Sequence, residues 1–162
     1  MFAGMIPLST QPWLPPGAGP ARWIVSERKG TWAAALGREP EASATRIHQT
    51  RSLAECWEML DRAPASFVVA ELTRANAEAL ADRLARLPRE YPLARAAVVA
   101  ERSLAAYEPW VREAGAVAFI TSPRGLAPLA AMARRQLQQA PAVQLGLAEQ
   151  IWARLPWGKE EG

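Results

Sequence analysis

Two aspartates, two lysines, one histidine and one cysteine are all that the 162-residue chain carries of those four residue types. Each scarcity removes a class of function. The lone Cys56 can form neither an internal disulfide nor a Cys-based zinc cage, and the lone His48 cannot build a His-rich metal site. Long apolar runs are missing: no stretch approaches the ~20 residues that cross a bilayer. The N-terminus has no basic segment leading into a continuous apolar one, so no secretory signal is expected. Glycine-rich phosphate loops are missing as well. Neither GxxxxGK(S/T) nor GxGxxG occurs, and SERKGT, with Gly30 alone, follows the first apolar run. A nucleotide-binding reading therefore has no cradle to rest on.

What remains is globular in composition, half hydrophobic and 22% charged. A chain of 17.7 kDa buries roughly two-thirds of its unfolded surface on folding, enough for one domain with tails. The formal charge is +3, built from 17 Arg and 2 Lys against 14 Glu and 2 Asp. The cations are scattered, with only Arg28–Lys29 and Arg134–Arg135 adjacent, so they read as solvated surface rather than as a nucleic-acid face. The excess of Arg over Lys is a compositional mark of a GC-rich genome.

Residues 1–20 hold five prolines and three glycines with no sustained period, and are expected to form a flexible arm. From Ala21 the pattern changes to short apolar runs alternating with helical spacing. The strand candidates are 21–26, 44–49, 66–72, 94–101 and 116–121; the second is the least apolar and reads as an edge. The helix candidates are 31–39, 52–63, 75–87 (stopped by Pro88), 103–114 and 126–139. Ser52 followed by Glu55 forms a capping box ahead of a face made by Leu53, Cys56, Trp57 and Leu60. FVVA and AAVVA are apolar at successive positions, as strands buried on both faces of a parallel sheet are. Right-handed helical crossovers then give an α/β, three-layer α/β/α sandwich of the flavodoxin type over 21–140, its five parallel strands ordered 2-1-3-4-5. Residues 141–162 form a tail in which Leu147, Ile151, Trp152 and Leu155 share a stripe. Either a sixth helix packed on the domain or a docking helix fits that stripe.

The reactive residue types fall in unpromising places. His48 lies mid-strand and reads as a solvent-facing or hydrogen-bonded strand histidine rather than a member of a Ser-His-Asp set. Cys56 sits on an apolar helix face and reads as an inert thiol. In open α/β sheets ligands bind beyond the carboxyl ends of the strands. Ser26, Glu27, Glu71 and Ser122 can approach that crevice, where Glu27 and Glu71 are a conceivable pair for Mg2+. Each also reads plainly as a surface acid, neutralised by the adjacent Arg28 and Lys29.

The order of these runs resembles the receiver domain of bacterial response regulators over residues 21–139. REAGAVAFITSPRGLAPL (112–129) is similar to the receiver stretch that ends in Lys-Pro, RWIVSERKGTW to its first strand and acidic turn, SLAECWEML to its second helix, and FVVAEL to the phosphoacceptor strand. The resemblance implies a bacterial, cytoplasmic signalling module. It also identifies what is missing. Receivers need an acidic pair after strand one, where Ser26 and Glu27 stand, and an Asp ending strand three, where Glu71 (or Ala70) stands. They need a hydroxyl ending strand four, where Ala100 stands, and a Lys before the strand-five proline, where Ser122 precedes Pro123. Asp61 and Asp82 fall inside helices.

The expected function is thus a non-catalytic, receiver-like protein-interaction module that is not phosphorylated on Asp, with no catalytic, cofactor or metal residues. Glu71 is either a fixed negative charge imitating a phosphorylated acceptor or part of a domain that never switches. Contact with a signalling protein or a second copy is expected through the helix 4–strand 5–helix 5 face, with Trp110, Phe119 and Arg124, or through the tails with Trp13, Trp152 and Trp157. The alternative is a small-molecule or metal binder, or small enzyme, using the crevice at the ends of strands 1, 3 and 5.

Overall fold

The computed structural model describes residues 14–143 and Ile151. Trp13, Trp152, Trp157 and most of the expected tail stripe therefore lie outside the described residues. Five strands form one parallel sheet: β1 (Trp23–Ser26), β2 (Ile47–Thr50), β3 (Phe67–Leu72), β4 (Arg95–Ala100) and β5 (Phe119–Ile120), in the order β2-β1-β3-β4-β5. The crossovers carry α1 (Thr31–Gly37), α2 (Leu53–Arg62), α3 (Ala77–Glu90), α4 (Glu108–Glu113) and α5 (Ala127–Gln139).

Strand alternation sorts the core into two halves. Ile24, Val68, Ala70, Ala96 and Val98 face the leucines of α3 together with Cys56, Trp57 and Leu60 of α2 and Val111 of α4. Trp23, Val25, Phe67, Val69, Ala97 and Val99 face α1 and α5. The expected three-layer sandwich and strand order are what the chain adopts.

Boundaries differ in informative ways. The third helix runs on through Pro88 to Glu90, because a proline in the last turn forfeits one backbone bond while Leu87 remains buried and Tyr91 N–H still reaches the Leu87 carbonyl at 2.8 Å. The segment expected as one helix over 103–114 is a 3-10 helix, Arg102–Tyr107, followed by six residues of α-helix, Pro109 entering near the join. The fifth strand is two residues long, although Val98 N–H to Ala118 O and Val117 N–H to Ala96 O (both 2.9 Å) prolong its pairing. Below the sheet, residues 15–18 form a turn, and Gly19 N–H donates to Arg62 O at 2.7 Å.

Gly115 adopts φ +119°, and a Cβ there would lie 3.3 Å from the Leu84 carbonyl of α3. Only glycine allows α4 to end this close to α3. Gly115→Ala is expected to cost about 1–3 kcal/mol in urea unfolding. Gly37→Ala, where nothing lies within 4 Å, should be neutral or slightly stabilising.

Candidate functional site

The carboxyl ends of β1 and β3 open onto a cleft of about 230 Å³ lined by Ser26, Glu27, Arg28, Arg51, Ser52, Leu53, Glu71, Thr73, Ala75 and Asn76. Ser26, Glu27 and Glu71 are therefore brought together as the sequence implied. Ser122 lies outside this lining, and its hydroxyl accepts Arg124 N–H at 3.3 Å.

The two carboxylates do different work. Glu27 is only 3% exposed. Its Oε2 accepts Trp32 N–H at 2.9 Å and its Oε1 accepts Ala33 N–H at 2.6 Å. These are first-turn donors of α1, which starts at Gly30 with no side-chain cap of its own. A buried anion thus supplies what an N-cap residue supplies elsewhere, in the favourable direction of the helix dipole. Both oxygens are engaged with protein donors inside the fold. Glu71, half-buried, accepts Arg28 N–H on Oε2 at 3.1 Å. Its backbone carbonyl accepts from Asn76 Nδ2 at 2.8 Å, and Asn76 Oδ1 accepts Thr73 N–H at 2.8 Å. This Thr73–Asn76 turn sets the exit from β3 and opens α3.

Cations stand at the rim. The Arg51 guanidinium donates to the Arg28 carbonyl, tying the β2–α2 loop to the β1–α1 loop. Ser26 Oγ donates to Ser52 O at 3.1 Å. Ser52 Oγ accepts Glu55 N–H as expected of a cap, while the Glu55 carboxylate turns to Arg51 N–H, one residue before the box position.

Ala100 ends β4, fully buried and without a hydroxyl. The nearest serine beyond it, Ser103, lines a smaller hollow of about 190 Å³ together with Glu71, Arg74 and Glu101. Arg51, Thr73, Asn76 and Ser103 were not singled out from sequence. Thr-x-x-Asn directly after an apolar strand was the available signal for two of them. The others come near by topology alone.

The aspartates are structural. Asp61 accepts from the Tyr91 hydroxyl, and Asp82 pairs with Arg86 one turn along α3. Burial, then the Asp61 contact, raises Tyr91 to about 12. His48 pairs opposite Ile24 on the edge strand; burial, then Arg22 and Arg46, holds its pKa below the ordinary value. Phe119 is buried against the α3 side of the sheet. Among the described residues, no group of three or more His, Cys, Asp or Glu side chains is placed to hold a metal ion. Nor is any helix among them long and apolar enough to cross a membrane.

The solved structure of a CheY-like protein (tadZ) from Pseudomonas aeruginosa superimposes with a TM-score of 0.56 at 20% identity, over 78% of this chain and all of that one. The fold is that of a receiver domain. A response regulator from Thermotoga maritima matches with a TM-score of 0.58 at 18% identity, over 73% of this chain and 98% of its own. A Burkholderia pseudomallei response regulator, solved with a phosphorylated aspartate, calcium and citrate, matches with a TM-score of 0.54 at 19% identity, over 83% of this chain and 82% of its own. At these identities the likeness is one of receiver architecture. No protein-family model matches the chain, and no curated protein matches it significantly.

Glu27→Ala should destabilise the fold by about 2–3 kcal/mol, since it strands two N–H groups in the first turn of α1. Glu71→Ala, whose lost partner is at the exposed rim, should cost about 1 kcal/mol or less; urea midpoints of the two variants make the comparison. Burial pushes the Cys56 thiol from near 9 to about 12. The unfolded thiol ionises first, so its contribution to stability is intact below about pH 9 and is lost as pH rises toward 12. Alkylation by iodoacetamide at pH 8 should accordingly be negligible in the native chain and complete in urea.

Proposed function

We propose that this receiver-fold domain works in signalling as a fixed protein-interaction module, not phosphorylated on aspartate and without catalysis of its own. The observation that carries the reading is the engagement of Glu27. The acid standing where receivers place a Mg2+ ligand has both oxygens bonded to α1, which leaves Glu71 as the cleft's one rim carboxylate.

Several further features support it. Glu71 already accepts a backbone N–H. Ala100 has no hydroxyl, and Ser122 no charge, for a phosphoryl group. Asp61 and Asp82 are committed to Tyr91 and Arg86. With Arg28 and Arg51 at the rim, the metal-binding alternative has one rim carboxylate, itself accepting Arg28 N–H, and two competing cations. The same features favour a domain that never switches over one in which Glu71 imitates a phosphorylated state, because the lysine that would read the charge is absent.

Protein contact is assigned to the α4–β5–α5 face. It presents Met132 at 36% exposure and the exposed Arg124, an arginine being a frequent interface anchor; Trp110, at 40% exposure, opens instead toward the start of α3. A cytoplasmic location goes with this reading.

The test is incubation of the full chain with Mg2+ and acetyl phosphate, read by intact mass and by capture of the chain's binding protein. The expected result is no phosphoryl adduct and equal capture with and without the phosphodonor. A hydroxylamine-labile adduct, or capture that changes with phosphodonor, would overturn the reading.

A further inference from the structure

Between α3 and the 3-10 helix leading into α4 lies a groove of about 600 Å³ that adjoins the strand-end cleft at Ala75. Its walls include Arg74, Ala77, Glu78, Ala106, Tyr107 and Trp110. Tyr107 and Trp110 meet edge to face, with centroids 5.9 Å apart. Trp110, at 40% exposure, is the largest apolar side chain left open among the described residues. The joined Tyr107–Trp110 surface, with Ala75, Ala77 and Ala106 beside it, offers an apolar wall against which proline rings and aliphatic side chains of an extended segment can pack. Lining charge is balanced, with Arg74 against Glu78, so nothing in the groove favours a charged occupant.

We propose that residues 1–13 of this same chain occupy the groove, anchored on Trp110. MFAGMIPLSTQPW has no charged side chain, and it supplies two prolines together with Phe2, Ile6 and Leu8. Residues 144–162 carry three Glu, one Arg and one Lys, and match a neutral groove less well. The path is available. Leu14 and Pro15 line a small apolar hollow with Glu90 and Leu93, at the C-terminal end of α3. The groove lies at the other end of that helix, beside Ala77. The 14 residues of α3 span ~21 Å, whereas the extended chain from Leu14 reaches ~26 Å at Ile6 and ~40 Å at Phe2. Where Gly115 meets the Leu84 carbonyl, α3 and α4 close together, so the segment enters from the open end. The inference rests on the groove and the segment alone, and survives or fails independently of whether the domain is phosphorylated.

The test uses the 15N-labelled full chain, with the Trp110 indole resonance assigned through Trp110→Phe. In the full chain bearing Ile6→Ser, Leu8→Ser and Trp13→Ser, the Trp110 indole N–H should shift while those of Trp23 and Trp57 stay in place, which also reports an intact core. Added peptide MFAGMIPLSTQPW should return the resonance. Trp110→Ala should speed proteolysis within residues 1–13 roughly tenfold and leave cleavage beyond residue 143 unchanged. An unmoved Trp110 resonance would overturn the proposal. So would a shift seen only with Leu147→Ser and Trp152→Ser, which makes the C-terminal segment the occupant, or a bound signal that disappears on dilution, which makes it a second copy.

Discussion

Glu27 accepts two backbone N–H groups in the first turn of α1 from a position that is almost wholly buried, and much that sets this chain apart follows from that arrangement. The helix begins at a glycine with no capping side chain, so its donors need an acceptor from elsewhere. A carboxylate meets that need well because charged acceptors make stronger hydrogen bonds than neutral ones. The same commitment ties both oxygens of this cleft-lining carboxylate to α1, while Arg28 and Arg51 stand exposed at the rim. Both oxygens of this one side chain serve to cap α1.

Much of the architecture was legible because strands buried on both faces leave few alternatives. FVVAEL and RAAVVA have no solvent face to alternate with, so their continuous apolar runs mark central parallel strands directly. Legibility fell where tertiary contact overrides local preference. Pro88 reads as a stop signal in sequence, yet packing of Leu87 holds the last turn in place. The fifth strand looks six residues long by composition. Its outer pairing is partial because it lies at the edge and has a single neighbour.

The site divided along similar lines. Which side chains reach the strand ends follows from topology, and Ser26, Glu27 and Glu71 are found there. Where their oxygens point depends on rotamer choices that spacing does not encode, as the inward turn of Glu27 illustrates. Arg51 was invisible for a related reason: it reaches Arg28 across two loops separated by 23 residues, a relation with no local pattern.

The middle of the sheet carries a longer consequence. β4 places alanines at 96, 97 and 100, all fully buried, beneath the leucines of α3 on one side and α5 on the other. A position already that small can drift in only one direction, toward larger side chains, and a close-packed interior resists that. Over evolutionary time this strand is therefore free to change only when the helices above it shrink in step. Related chains should preserve the summed volume across these layers more faithfully than the identity of any residue within them.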